Sequence, residues 1–179
     1  MTASKDWRKP VELDEDADPV AVARAIVLRQ LTAAPRSRGQ LATKLAQRGV
    51  PEHAAEQVLD RFEELKLIDD AEFAQLWVRS RSEHRSLAKG ALRRELADKG
   101  IAPELAEEAL GQLSDEQEVR QAKELLTRKL RSAKAPEGRE ERDKLVRRLA
   151  SMLARKGYAP GMAFQLTNEA LQKWQGSEL

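Results

Sequence analysis

Apolar residues recur every three or four positions along most of this chain, a spacing that predicts amphipathic helices rather than strands. The clearest element has two leucines and a glycine spaced by four positions, with a proline two or three positions after the glycine. We expect each glycine to end a helix in the left-handed conformation and each proline to open the next helix. The element occurs three times, as Leu41-Leu45-Gly49, Leu92-Leu96-Gly100 and Leu149-Leu153-Gly157.

Two further helices accompany each copy of this element. One follows the glycine, with an apolar face such as Ala55, Val58, Leu59 and Phe62 in the first copy. The other precedes the copy and begins near Val20, at Asp69 or at Ser114. Polar pairs that can cap helix N-termini support these boundaries. The pairs are Ser37 with Gln40, Asp69 with Glu72, and Ser114 with Gln117.

The repeat therefore predicts an all-α protein, an elongated and curved array of three tandem three-helix repeats with helix-turn-helix-like units. The helices number nine, and no segment has the pattern of a strand. The period is longer than that of ordinary helix-pair repeats. We place the repeats at 19–66, 67–113 and 114–175, with a charged loop at 132–143 in the third. Residues 1–18 are acidic and poor in apolar groups, and we expect them to be disordered.

Composition narrows the class of protein. Of 179 residues 41% are hydrophobic and 35% charged, which suits helices with narrow apolar stripes and wide solvated faces. The absence of cysteine excludes disulfides, thiolate metal sites and a cysteine nucleophile. No apolar run approaches the roughly 20 residues of a membrane helix, and the first residues lack a secretory pattern. We expect a cytoplasmic protein without membrane association.

Charge alternates along the chain in bands. Residues 21–50 carry six basic groups and no acid, residues 77–100 seven bases and three acids, and residues 120–156 thirteen bases and five acids. Acidic segments separate these bands, so that the net charge is only +2. Such bands either balance charge between neighbouring helices or form basic binding surfaces.

A search for catalytic chemistry finds no constellation. His53 and His84, the two histidines, have no ligand-spaced partner. Asp69, Asp70 and Glu72 stand at a predicted helix start, where capping explains them better than a cation does. No glycine-rich phosphate loop or nucleophile motif is present. We therefore predict no enzyme, catalytic residue, metal site or cofactor.

With no catalytic site predicted, binding through basic residues is the kind of function that the sequence still indicates. Guanidinium groups suit phosphate and carboxylate oxygens. Trp77 lies at the edge of the second basic band and could stack on a base. Its position four residues after Phe73 favours a place in the core instead. The candidate residues for binding a partner protein or DNA are Arg36, Arg38, Arg79, Arg81, Arg85, Lys89, Arg93, Arg94, Arg128, Lys129, Arg147 and Arg148.

Four short blocks of the sequence stand out within the repeats: Pro35-Arg36-Ser37-Arg38, Leu67-Ile68-Asp69-Asp70, Trp77-Val78 and Lys99-Gly100-Ile101. Together they resemble the RecX family of recombinase regulators. The resemblance covers about residues 21–172 and is strongest over 23–110. One departure is Lys66, where the family usually has glycine; a left-handed lysine there costs about 1 kcal/mol. The third repeat also matches less well.

We expect a monomer, because no coiled-coil seam or long apolar stripe demands an oligomer. The resemblance implies a non-enzymatic protein that binds the RecA recombinase and lies in the groove of the RecA–DNA filament. It further implies inhibition of ATPase, strand-exchange and coprotease activities, and hence modulation of recombination, DNA repair and the SOS response. Weak binding of single- and double-stranded DNA is also implied. The alternative is a transcription regulator with tandem helix-turn-helix units. That alternative fits less well, because its recognition helices would start with acidic or apolar residues such as Glu52, Glu104 and Met162.

Overall fold

A computed structural model describes residues 18–176 of the chain. Over this part the chain forms nine helices and no strand, which confirms the all-α prediction. The helices are α1 (Pro19–Ala33), α2 (Arg38–Ala46), α3 (Glu52–Glu64), α4 (Asp70–Arg85), α5 (Lys89–Ala97), α6 (Pro103–Leu110), α7 (Asp115–Leu130), α8 (Arg139–Arg155) and α9 (Pro160–Gly176). The acidic tail predicted at 1–18 lies, except for Asp18, outside the described residues.

The three repeat glycines follow the ends of α2, α5 and α8 in the predicted left-handed conformation. Their φ angles are 74° at Gly49, 73° at Gly100 and 91° at Gly157. Lys66, where glycine was expected, adopts the same region with φ 56°. The turn after α3 therefore forms, although a side chain occupies the strained position.

Side-chain caps begin several helices. Ser37 and Ser114 each form both hydrogen bonds of a capping box, with Gln40 and Gln117 respectively. At the start of α4 the Glu72 amide donates to Asp69 Oδ1 at 3.0 Å. These bonds explain the serine and aspartate positions as helix signals, and they give the carboxylate of Asp69 a structural role.

The loop predicted at 132–143 is shorter in the structure, because α8 already begins at Arg139. Pro136 and Gly138 precede the helix, whereas Glu140 and Glu141 lie in its first turn. Acidic side chains there interact favourably with the positive end of the helix dipole. The charged run that suggested a loop is therefore partly a helix start.

Contacts divide the chain into two compact units. The first runs as far as Phe73 and includes Lys99–Ile101; the second holds Ala74–Asp98 and the chain from Ala102 onward. In the first unit α1, α2 and α3 bury a core that includes Val27, Leu41, Leu45 and Leu59. In the second, α7, α8 and α9 bury another that includes Leu126, Leu149, Leu153 and Leu171.

Residues of the second repeat form hydrogen bonds at the N-terminal end of α2, the middle helix of the first repeat. Ser37 Oγ donates to the Lys99 carbonyl at 2.6 Å, and the Arg38 amide donates to Asp70 Oδ1 at 2.8 Å. Gly39, in the first turn of α2, packs against the backbone of Lys99 and Gly100. The helix N-terminus thus receives its hydrogen-bond acceptors from residues later in the chain.

The second repeat is joined to the third in the same way. The Ala88 amide donates to the Lys156 carbonyl at 2.9 Å, and the Lys89 amide donates to Glu118 Oε1 at 2.6 Å. Gly90, in the first turn of α5, packs against the backbone of Gly157. The sequence repeat therefore encodes a repeated junction as well as a repeated helix.

Candidate functional site

Of the two candidates in the first repeat, Arg38 is paired with acidic residues and Arg36 is not. Arg38 forms ion pairs with Asp60 at 2.8 Å, with Glu63 at 2.6 Å and with Glu56. Burial alone lowers the pKa of the Arg38 guanidinium, but these acceptors outweigh it and raise the pKa overall. Arg36 is half-buried, and its Nε meets no hydrogen-bond partner among the described residues. Arg38, at the start of α2, therefore connects this helix to three carboxylates of α3.

On α4 the predicted candidates divide between structural and exposed roles. The guanidinium of Arg81 lies 4.2 Å from the centre of the Trp77 ring, and Trp77 Nε1 donates to Glu95 at 2.8 Å. Arg81 and Arg85 lie 3.5 and 3.8 Å from the same carboxylate. Because Arg81 covers a face of the half-buried indole, that face is closed to a stacking base. Arg79 is exposed, with no ion pair in the described part of the chain.

On α5 two of the three candidates are paired with acidic residues. Lys89 Nζ donates to Asp115 at 2.8 Å, a hydrogen bond that raises the pKa of the lysine. Arg93 donates twice to Glu107, at 2.5 and 2.9 Å, and this pairing raises the arginine pKa. Arg94 is exposed and carries no ion pair within residues 18–176. Charge balance between neighbouring helices therefore accounts for Lys89 and Arg93.

The third basic band remains largely unpaired. Arg128 and Lys129 on α7 and Arg148 on α8 are exposed and form no ion pair with any described residue. Arg147 is exposed as well, and its Nε donates to the carbonyl of Asp143 at 3.3 Å. These cations therefore have no carboxylate partner among the described residues.

Three cations act electrostatically on Lys156, and we call the four residues together the Lys156 cluster: Arg85, Arg128, Lys129 and Lys156. Arg85 ends α4, Arg128 and Lys129 lie in the last turn of α7, and Lys156 caps α8. Lys156 Nζ donates to the Arg85 carbonyl at 2.6 Å. Cations at the C-terminal ends of helices interact favourably with the helix dipole, which helps to hold these charges together.

Burial and the neighbouring cations both act on the ammonium group of Lys156. Burial, followed by the positive charges of Arg85, Arg128 and Lys129, lowers the pKa of Lys156. No carboxylate contributes to that shift. Sequence reasoning missed Lys156, although it closes the third basic band; the one available signal was its position directly before Gly157, where the helix must end.

Tyr158 forms a hydrogen bond to the segment between α4 and α5, directly after Arg85. Its hydroxyl donates to the Ser86 carbonyl at 3.3 Å, directly after the end of α4. Ser86 itself has a positive φ of 49°, a conformation that side chains rarely adopt. Burial, with the nearby charges of Glu118 and Glu124, raises the pKa of Tyr158 to about 12. The phenol therefore stays protonated as a donor at neutral pH.

A groove of about 550 Å³ lies between α7 and α9 in the same unit. Leu130, Leu166 and Trp174 form its apolar walls, and Lys123 and Arg131 lie at its rim. Lys123 is 3.7 Å from Glu169 across the groove. The groove thus adds an apolar surface with a basic rim beside α7.

Other kinds of site were sought over residues 18–176. In that range no group of three or more histidine or acidic residues could hold a metal ion. None of the described helices is long and apolar enough to cross a membrane. Both histidines, His53 and His84, are exposed.

Two family models match the chain: the first three-helix domain of RecX over residues 23–62 and the second over residues 69–110. A regulatory protein RecX from Streptomyces coelicolor is 53% identical over 156 residues, which are 87% of this chain and 81% of that protein. Another from Thermobifida fusca is 43% identical over 87% of this chain and 82% of its own length.

Solved structures agree with this relationship. A crystal structure of RecX from Lactobacillus salivarius superposes with a TM-score of 0.73 over 86% of this chain and 97% of that one, at 21% identity, and thus supports the fold. A crystal structure of a regulatory protein RecX gives a TM-score of 0.71 at 25% identity, over 85% of this chain and 72% of that one. From its repeats, its three-helix domains and these relatives, the chain belongs to the RecX family of regulatory proteins.

Proposed function

We propose that this protein is a non-enzymatic regulator that binds the RecA recombinase and the RecA–DNA filament. It inhibits the ATPase, strand-exchange and coprotease activities of RecA and thereby modulates recombination, DNA repair and the SOS response. The observation that carries the proposal is the 53% identity with a regulatory protein RecX over 87% of the chain. The identity of the target comes from the family resemblance of the sequence blocks.

The distribution of unpaired cations supports a binding mode with many weak contacts. Arg79, Arg94 and Arg148 lie on three different helices, and each is exposed without an ion pair in the described residues. Several weak contacts made by one chain raise the overall affinity without any strong single site. A regulator that lies in the filament groove and touches successive subunits would use its surface in this way.

The alternative, a helix-turn-helix transcription regulator, has less support. Its recognition helices would be α3, α6 and α9. The first turns of α3 and α6 carry Glu52 and Glu104, and the first turn of α9 carries the apolar Met162. Carboxylates at these positions repel the phosphates that flank the major groove. Nothing in the geometry of α3 or α6 favours base recognition.

The first experiment is a titration of the steady-state ATPase rate of RecA on single-stranded DNA with this protein. We expect inhibition well below one regulator per recombinase subunit, at concentrations where free DNA is not yet coated. The Arg79→Gln, Arg94→Gln double variant should need more protein for the same inhibition. Its matched control is Arg24→Gln, Arg29→Gln, which removes two exposed charges from α1. An unchanged ATPase rate at saturating protein would refute the proposed function.

A further inference from the structure

The groove between α7 and α9 presents an apolar surface beside the core of the second unit. Leu130 and Leu166, which are buried in that core, line the groove together with the partly buried Ala170 and Trp174. Its volume is about 550 Å³. A cleft of this size between two helices has room for several apolar side chains of a binding partner.

Trp174 differs from Trp77, the other tryptophan of the described residues. Trp77 Nε1 donates to Glu95 at 2.8 Å, and the guanidinium of Arg81 covers its ring at 4.2 Å. Trp174 lines the groove, and its Nε1 makes no hydrogen bond to a described residue. A half-buried tryptophan of this kind is typical of protein interfaces, where the ring packs against a partner and the N–H donates to it.

The charges at the groove are predominantly positive. Lys123, Arg131 and Lys173 contribute three cations, whereas Glu169 contributes a single carboxylate. Lys123 lies 3.7 Å from Glu169, and Arg131 is exposed without an ion pair to any described residue. The groove therefore complements a surface that is both apolar and acidic.

The spacing of the cations favours an elongated partner over a small anion. Lys123 and Arg131 stand eight positions apart on α7 and its C-cap, which is about 12 Å along the helix axis. One phosphate or carboxylate group cannot reach both, whereas a helix of two or three turns can. Amphipathic helices bind apolar grooves by burying one stripe of side chains. Nucleic acid has no such stripe, and the carboxylate of Glu169 repels its phosphates.

We propose that the α7–α9 groove binds an acidic amphipathic helix of the partner protein. The apolar stripe of that helix packs against Leu166, Ala170 and Trp174, and its carboxylates lie at Lys123 and Arg131. The inference rests on the proposed function and deepens it, because the helix belongs to the recombinase that the regulator binds.

A synthetic peptide with the sequence of residues 51–65 is the probe, since α3 is itself an amphipathic helix with five acidic residues and one arginine. The isotope-labelled full chain is titrated with this peptide, and NMR follows the indole N–H signals. The Trp174→Phe variant identifies the Trp174 signal by its loss. That signal should shift, and the Trp77 signal should stay, because its N–H is already bonded to Glu95. A peptide with lysine in place of its five acids should shift neither signal.

The Arg131→Glu variant should bind the acidic peptide about five- to tenfold more weakly, because a carboxylate replaces a cation at the groove. The matched control, Arg155→Glu, reverses an exposed charge in the last turn of α8, outside the groove, and should stay within about twofold. Circular dichroism checks that both variants are folded. Equal weakening in both would mean that the peptide follows net charge, and it would overturn the inference.

Other occupants give different results. A Trp174 signal that moves with the concentration of the protein alone would identify a second copy in the groove. A shift with oligothymidylate but none with the acidic peptide would identify nucleic acid. Either result would overturn the inference.

The outcomes separate this inference from the proposed function. If the acidic peptide leaves the Trp174 signal unchanged while the chain inhibits the RecA ATPase, the inference fails and the proposed function stands. If the peptide binds in the groove but the unchanged chain has no effect on the ATPase, the groove stands and the proposed function fails. If both hold, Arg131→Glu should raise the protein concentration needed for inhibition, and Arg155→Glu should not.

Discussion

The backbones of Gly90 and Gly157 touch, so that a Cβ atom added to Gly90 would lie only 2.6 Å from the Gly157 carbonyl oxygen. The first repeat has the same relationship between Gly39 and Lys99, where the corresponding distance is 2.8 Å. Real Cβ atoms do not approach a backbone oxygen so closely. Each junction between repeats therefore requires glycine in the first turn of a middle helix.

Gly90→Ala should destabilise the protein, against the ordinary helix preference. Alanine favours a helix interior by up to about 1 kcal/mol over glycine. Overlap with the Gly157 carbonyl should exceed this gain and leave a net loss of about 1–3 kcal/mol. Urea denaturation followed by circular dichroism measures the change. The control is Gly161→Ala in α9, where a Cβ meets open space; greater stability in both variants would contradict the junction.

Two left-handed glycines should respond differently to the same substitution. Gly49→Ala should cost about 1–2 kcal/mol, because φ is 74° but a Cβ meets nothing within 4 Å. Gly157→Ala should cost more, because its Cβ would overlap the Ala91 amide and lie 2.7 Å from the Ala91 Cβ. The two free energies of unfolding give the comparison. Equal losses would mean that backbone conformation alone decides both positions.

Arg38→Met should destabilise the first repeat by about 1–2 kcal/mol. The substitution leaves Glu56, Asp60 and Glu63 facing one another without their shared cation. The stability of the Arg38→Lys variant should lie between those of the unchanged chain and the Arg38→Met variant, since one ammonium group cannot bridge three carboxylates. Thermal unfolding at low and high salt measures both effects, and high salt should narrow the difference from the unchanged chain.

The control for Arg38 is Arg61→Met. Arg61 also forms an ion pair, with Glu64 at 2.8 Å, but both side chains are about two-thirds exposed. Its loss should change the unfolding free energy by less than about 0.5 kcal/mol. If the Arg38 and Arg61 variants were equally stable, the three ion pairs of Arg38 would contribute no more than an ordinary surface pair.

Tyr158 should ionise at about pH 12 in the folded protein, because burial and the charges of Glu118 and Glu124 oppose the phenolate. It is the only tyrosine of the chain, so its ultraviolet difference spectrum reports one group. The folded pKa exceeds the ordinary value of 10.0. The folded state therefore holds the proton more tightly, and stability should fall as pH rises from about 10 to about 12. Ionisation near pH 10 without unfolding would contradict the buried position.

Much of the fold follows from local rules that the sequence displays. The glycines at 49, 100 and 157 end helices because only glycine takes a left-handed turn at little cost. Ser37 and Ser114 start helices because their hydroxyl groups accept from the first free amides. The predicted loop at 132–143 extends too far because Pro136 and Gly138 break the helix pattern but do not show where the next helix begins. Glu140 and Glu141 stabilise the N-terminus of that helix.

The site was harder to predict, because it depends on contacts between distant residues. The sequence shows that Arg38 and Arg128 are basic. It does not indicate that three carboxylates of α3 bind Arg38, whereas Arg128 forms no ion pair with any described residue. The close backbone contacts of Gly39 and Gly90 could not be predicted either, since their partners lie a whole repeat away. Pairing in space decides which arginines hold the fold together and which can meet a partner.

The forward direction of the junctions has a consequence for synthesis on the ribosome. Hydrogen bonds to Asp70 and Lys99 complete the N-terminal end of α2. Hydrogen bonds to Glu118 and Lys156 complete the N-terminal end of α5. A nascent chain emerges from its N-terminus, so each repeat stays incomplete until the next has been translated. Fragments released early would therefore be readily degraded, and only the finished chain would persist in the cell.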